Sequence, residues 1–173
     1  MPEAPDAPFL HHGRFFEDIE PGLRFRTSAR TISETDLVMF VGLAGLTENL
    51  FLDARVGSAG DGARGRLVPG ALTFALAEGL IFQTNAIQRT GMAFLGTELT
   101  ARGPVYVGDT LYVVVEIEKT RLTSKGDRGV VTEWNQVVNQ LGEVVLEYSP
   151  SRMIRGRAAA AGEDEGPDPV AVN

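Results

Sequence analysis

Cysteine is absent from the 173 residues. That removes disulfides, thiolate metal sites and thiol nucleophiles together. Histidine is nearly absent: the only two, His11 and His12, are neighbours in the N-terminal lead-in. A dyad or triad that needs an imidazole must borrow it from there or do without. Positive charge is scarce, with 16 Lys and Arg against 23 Asp and Glu, a net charge of −7 and a pI near 4.9. That balance argues against nucleic acid or an anionic membrane as a general partner. No apolar run is long enough to span a bilayer, and the N-terminus lacks the apolar segment of an export signal, so the expected location is cytoplasmic. No metal or cofactor is expected.

What is present is enough for one domain with a real core: 43% apolar and 23% charged residues in a chain of this length. The stretch Arg66–Gln83 organises the rest. It predicts a helix opened by Pro69 and Gly70 and closed before Gly91. Leu72, Phe74, Leu76, Leu80, Ile81 and Phe82 are spread around that helix, as expected of one buried by its surroundings. From Ala93 to Arg157 the pattern turns to strands. Thr110–Thr120 alternates Leu111, Val113, Val115 and Ile117 against Tyr112, Val114, Glu116 and Glu118. Val130–Asn139 predicts a strand with Trp134 and Val138 on one face, and Glu143–Ile154 predicts the last. The expected architecture is α+β, an antiparallel sheet of about five strands wrapped around the apolar helix. The alternating valines leave a second face that a dimer would cover.

Upstream, residues 1–13 predict a flexible arm, and Leu23–Ile32 a first strand. Ser33 and Asp36 form a capping box ahead of Leu37, Phe40, Val41 and Ala44 at helical spacing, with Gly45 as the stop. The glycine-rich segment 55–66 predicts a mobile loop. Its Arg64 and Arg66 offer charge to a phosphate, although the glycine, lysine and hydroxyl spacing of a phosphate-binding loop is missing. Residues 14–157 form the expected domain, and 158–173, rich in Ala, Gly, Pro and acids, an expected disordered tail.

Several segments, in order, resemble the MaoC-like dehydratases, relatives of the (R)-specific enoyl-CoA hydratases. They are Arg30-Thr-Ile-Ser-Glu-Thr-Asp36, Val68-Pro-Gly70, Pro104-Val-Tyr-Val-Gly-Asp-Thr-Leu111 and Asn139-Gln-Leu-Gly-Glu-Val-Val145. The resemblance implies a hot-dog fold, a homodimer or higher homo-oligomer, and an acyl thioester of coenzyme A or acyl carrier protein as ligand. Those hydratases use an Asp and a His within a Gly-Asp-x-Asn-Pro-Leu-His segment. Here Gly45-Leu-Thr-Glu-Asn-Leu-Phe-Leu-Asp53 keeps Gly45, Leu50 and Asp53. Leu46 replaces the Asp, Phe51 the His and Glu48 the Asn, while Pro69 stands where relatives often carry another His. Neither Leu nor Phe can move a proton.

Two carboxylates remain as candidate catalysts. Glu48 lies in the segment matching the family's active site, with Asn49 and Asp53 as candidate substrate-binding residues beside it. Glu78 lies between Phe74 and Phe82 in the central helix, where partial desolvation suits acid–base work. Certain hot-dog thioesterases carry an acid on this helix eight residues after a glycine, as Glu78 follows Gly70. The amides of Gly70, Ala71 and Leu72 are candidate donors to a thioester carbonyl. Three readings follow: a hydratase or dehydratase with an altered site, a thioesterase using Glu78, and a non-catalytic acyl-CoA-binding or partner subunit.

Overall fold

A period of two residues from Thr110 to Arg155 builds most of the sheet, and a 14-residue apolar helix covers its inner face. The computed structural model describes residues 13–57 and 65–160. His11, His12, Arg64, nearly all of the expected arm and most of the expected tail lie outside the described residues. In chain order the elements are a 3-10 turn at Phe16–Asp18, β1 (Arg24–Arg26), β2 (Arg30–Thr31), α1 (Glu34–Ala44), α2 (Asn49–Leu52), α3 (Ala54–Gly57), α4 (Gly70–Gln83), β3 (Gly91–Ala101), β4 (Thr110–Leu122), β5 (Arg128–Val138), β6 (Val144–Arg155) and α5 (Arg157–Ala160). The turn α5 thus begins at the last residue of the expected domain and runs into the stretch expected to be a tail.

Among the described residues the sheet has six antiparallel strands. Their order is β1-β4-β5-β6-β3, and β2 also pairs with β4. The additional strand arises because Leu23–Ile32 is not continuous. Thr27 donates its amide to the Val113 carbonyl at 2.9 Å, and its hydroxyl accepts from the Val113 amide at 3.0 Å. A side chain therefore takes the place of a main-chain acceptor and splits the strand in two.

The helix α4 packs on β4 and β6. Leu72, Ala77, Leu80 and Ile81 meet Val113, Val115, Val137, Leu146 and Tyr148 in the main core. Each fully buried Leu or Ile stabilises this packing by about 1.5–3 kcal/mol relative to exposure. A smaller cluster, Ile19, Ile117, Val131 and Ile154 with Phe16, Leu23 and Ile87, lies apart from it. The sheet does not cover α4 on every side: Ala71, Ala75 and Phe82 are exposed in the single chain. An all-round apolar helix has more greasy surface than one sheet face can bury.

Parity on β5 decides which residues enter the core. The buried side carries Val131, Glu133, Asn135 and Val137, and Trp134 lies on the opposite, half-buried side. Pro150, buried within β6, cannot donate to the ladder. Between the pairs Thr132–Ser151 and Asn135–Tyr148 the β5–β6 ladder is interrupted, and the Ser149 hydroxyl supplies a bond to the Glu133 carbonyl at 2.9 Å.

The start of α1 forms as its sequence predicts. The Ser33 hydroxyl accepts from the Asp36 amide at 3.2 Å, and the Asp36 carboxylate accepts from the Ser33 amide at 2.8 Å. Gly45 closes the helix at φ +67°. The Ser33 amide, the Ser33 hydroxyl and Arg30 hold the Asp36 carboxyl below the usual range. Ser33→Ala is expected to cost about 1 kcal/mol, lowering the thermal midpoint by roughly 2–4 °C in a calorimetric scan at neutral pH.

Candidate active site

The N-terminal tip of α4 is pinned from behind. The Val68 amide donates to the Val105 carbonyl at 2.8 Å, the Val107 amide to the Arg66 carbonyl at 2.9 Å, and Leu67 forms a bridge with Tyr106. Gly65 is pressed so close to β4's lead-in that a β-carbon there would lie 2.5 Å from the Val107 oxygen. Pro69 takes the cap position at φ −56° and ψ 138° with no side-chain bond. Its carbonyl accepts from the Leu72 amide at 2.9 Å and the Thr73 amide at 3.1 Å. Leu72 is therefore not a free donor, which corrects the three-amide expectation. Gly70 and Ala71 are exposed, and among the described residues nothing accepts from their amides. Two backbone donors and the positive end of the helix dipole face outward together.

Arg66 is not a free cation awaiting a phosphate. Its guanidinium donates to the Glu34 carboxylate and to the Phe51 carbonyl, and Nε is buried without a partner. A single side chain thus ties the start of α1 and the 46–53 segment to the base of the tip. Sequence could not assign this role, because its partners lie 15 and 32 positions away.

The 46–53 segment brings no imidazole or paired acid to the tip. Leu46 and Phe51 are half-buried and pack against the main core. Asn49 begins α2 and is exposed. Arg55 grips Asp53 through Nε at 2.9 Å and Nη2 at 2.7 Å and holds its carboxyl down to about 2, so Asp53 remains charged at neutral pH. Glu48 is exposed at the cap position of α2, makes no capping bond, and meets no donor among the described residues. It is the one uncommitted carboxylate of the segment.

Glu78 is two turns further along α4, about 12 Å from Gly70 at 1.5 Å per residue. It lies out of reach of the α- and β-carbons of an acyl group whose carbonyl rests on its own chain's tip. Its Oε1 accepts from the Tyr148 hydroxyl at 2.9 Å and from Arg152 Nη2 at 2.7 Å. Arg152 Nε donates to Glu133 Oε1 at 3.2 Å, and Asn135 Nδ2 donates to Glu133 Oε2 at 3.0 Å. The Arg152, Glu78 and Glu133 side chains are 4%, 15% and 7% exposed. The Phe94 and Phe82 rings lie 5.4 and 6.0 Å from the guanidinium. Burial pushes the Glu133 carboxyl above the usual range, despite Arg152. Burial and then the Glu78 charge push the Tyr148 hydroxyl up. Burial works against the Arg152 charge, but the carboxylates, led by Glu78, prevail and raise its pKa.

Sequence reasoning singled out Glu78 and missed its partners. The available signal was parity, with Glu133 in phase with Val131 and Val137 and Arg152 in phase with Tyr148 and Ile154. Among the described residues no group of His, Asp and Glu is placed to hold a metal, and no helix is long and apolar enough to cross a membrane.

The FAS1-like, dehydratase domain region family matches residues 20–148. The chain belongs to this MaoC-like, hot-dog dehydratase family. A beta-methylmalyl-CoA dehydratase of Chloroflexus aurantiacus is 32% identical over 149 residues, which is 84% of this chain and 41% of that protein. The chain thus spans about two fifths of the curated relative it matches. A MaoC-like dehydratase of Rhodospirillum rubrum superimposes at a TM-score of 0.74 with 24% identity, over 84% of this chain and 99% of that one. A Mycobacterium tuberculosis protein described as a double hot-dog fold does so at 0.75 with 25% identity, over 90% of this chain and 47% of that one.

Within this MaoC-like chain the Glu78–Arg152–Glu133 group makes a strong stability prediction. Arg152→Met leaves two carboxyl groups facing an apolar interior without their cation. A loss of about 3–5 kcal/mol is expected, read as a lower urea midpoint, with part of it recovered by adding Glu78→Gln and Glu133→Gln.

Proposed function

We propose that this MaoC-like protein binds an acyl thioester, of coenzyme A or of acyl carrier protein, and interconverts its enoyl and 3-hydroxyacyl forms. The observation that carries this reading is the α4 tip: two outward amides, Gly70 and Ala71, at the positive end of a helix pinned by Arg66 and Val105. A thioester carbonyl seated there gains negative charge as water adds to the β-carbon, and both donors stabilise that charge. Glu48 takes the proton from the attacking water and returns one to the α-carbon. The sum is enoyl thioester plus water giving 3-hydroxyacyl thioester. The adjacent 46–53 segment supports this, since Glu48 is its only carboxylate not already held.

A second reading, thioester hydrolysis, is favoured by the fixed orientation of Glu78 between Tyr148 and Arg152. It requires the acyl carbonyl to lie elsewhere than on the same chain's tip. Release of free thiol from an acyl-CoA, lost in Glu78→Gln and kept in Glu48→Gln, would identify it. Tight binding with neither reaction would identify a non-catalytic binding or partner subunit.

The assembly proposed is a homodimer. Met92, Phe94, Leu95 and Leu99 are exposed on β3, which among the described residues pairs on one side only. The longer relatives suggest that a second copy supplies what their additional length provides. Leu95→Arg combined with Leu99→Arg should convert a dimer to a monomer in a light-scattering mass measurement.

Gly70 offers a clean test of the tip. A β-carbon there meets nothing within 4 Å, so Gly70→Ala should bind like the native protein. Gly70→Pro keeps the helix start, because proline suits the first helical position and Pro69 already has the extended ψ that a following proline demands. It removes the amide donor. Calorimetric affinity for a 3-hydroxyacyl-CoA should fall about tenfold, the ~1.4 kcal/mol of one hydrogen bond. Glu48→Gln should lower the hydration rate at least about 100-fold and leave that affinity unchanged. Equal affinity in Gly70→Pro and Gly70→Ala would remove the tip from the site.

A further inference from the structure

We propose that α4 of one copy packs antiparallel against α4 of a second, so that Glu78 of each copy stands at the amide tip of the other. The first observation is how Glu78 is held. Tyr148 and Arg152 both donate to its Oε1, and among the described residues no donor reaches Oε2. Ala71, Ala75, Glu78 and Phe82 recur at spacings of three and four, which places them on one stripe of the helix. Ala71, Ala75 and Phe82 are exposed, and Glu78 is partly so. Among the described residues the stripe therefore has two unused donors at one end, the Gly70 and Ala71 amides, and a fixed, unused acceptor oxygen towards the other. They are about 12 Å apart along the axis and cannot meet within one chain.

A second copy removes that separation. The stripe is small at its N-terminal end, with Gly70, Ala71 and Ala75, and large at its C-terminal end, with Phe82. Turned end for end, the large half of one helix fills the space beside the small half of the other. Ala75, the small residue nearest the middle of the stripe, is the point of closest approach. With the two-fold axis there, Ala71 is level with the partner's Gly79, and the partner's Glu78 is one residue away, about 1.5 Å along the axis. The donors of each copy then face the acceptor of the other, twice in every pair.

The edge of the sheet gives the same orientation. Phe94 of β3 lies against Phe74 of α4, with ring centroids 6.4 Å apart, so β3 stands beside this helix. It carries one charged residue, Glu98, in eleven. At the other end of the sheet β1 carries Arg24 and Arg26 in three, the kind of charged edge that resists strand addition. Copies of one edge strand paired about a two-fold axis run antiparallel, and that axis is perpendicular to the sheet. It leaves both copies of α4 on the same face, pointing opposite ways.

What the completed tip holds rests on the acyl-thioester reading of function; the pairing of the helices does not. A 3-hydroxyacyl thioester has its carbonyl and its hydroxyl two carbons apart. The carbonyl takes the Gly70 and Ala71 amides, and the hydroxyl donates to the partner's Glu78.

The chain contains no cysteine, so introduced cysteines report on the pairing without substrate. Helix axes about 8–10 Å apart bring facing α-carbons to roughly 5 Å, within reach of a disulfide. In a glutathione redox buffer Ala75→Cys should form a covalent dimer, seen as doubled mass on a non-reducing gel. Leu43→Cys, exposed on α1, should not. Ala71→Cys alone should stay single, and Ala71→Cys combined with Gly79→Cys should cross-link, since a β-carbon at Gly79 meets nothing within 4 Å. A single-mass Ala75→Cys, equal cross-linking of Leu43→Cys, or a doubled mass for Ala71→Cys alone overturns the pairing. The shared site is read in a mixed dimer purified on two tags, one copy Gly70→Pro and the other Glu78→Gln. Crossed sites leave one of its two tips complete. Half of its sites should then bind a 3-hydroxyacyl-CoA with native affinity, whereas either variant alone binds about tenfold more weakly. A mixed dimer with no site of native affinity overturns the crossing. Native protein that binds no 3-hydroxyacyl-CoA overturns the functional reading instead, and the cross-links alone then decide the helix pairing.

Discussion

The packing of α4 against the inner faces of β4 and β6 is the constraint from which the rest follows. It buries Leu72, Ala77, Leu80 and Ile81, and in doing so fixes two points along one rigid rod. One is the amide tip at Gly70 and Ala71. The other is Glu78, about 12 Å away. A rod cannot bring them closer, so a single chain presents them as two separate polar features. The same rod has more apolar surface than the sheet can cover, which leaves Phe82 exposed.

The polar group around Arg152 exists because three elements contribute to one buried volume. Glu133 and Asn135 come from β5, Tyr148 and Arg152 from β6 and Glu78 from α4. An apolar set of similar volume could serve stability as well or better. The interruption of the β5–β6 ladder at Pro150 lies beside Glu133, where Ser149 supplies a side-chain bond to the main chain.

The 46–53 segment is held in place largely by side chains that cannot carry a proton. Leu46 and Phe51, which the resemblance lays on the family's Asp and His, pack against the core. Arg66 holds the segment to the tip through the Phe51 carbonyl. Of its two carboxylates, Asp53 is held by Arg55 and Glu48 makes no capping bond.

Local pattern was sufficient for much of this protein. The capping box at Ser33, the stop at Gly45, the α4 start at Pro69 and the alternation of β4 each depend on residues a few positions apart, and each formed as its sequence predicts. The resemblance to MaoC-like dehydratases was legible for the same reason, since it rests on short segments in order. What the fold alone decided lies across long separations: Thr27 splitting the first strand against Val113, Arg66 bound to Glu34 and Phe51, and Glu78 meeting Tyr148 and Arg152, 70 and 74 positions away. Periodicity tells which side of a strand a residue takes. It does not tell which side chain on a neighbouring element will stand opposite, because that is set by register and by how the helix lies across the sheet.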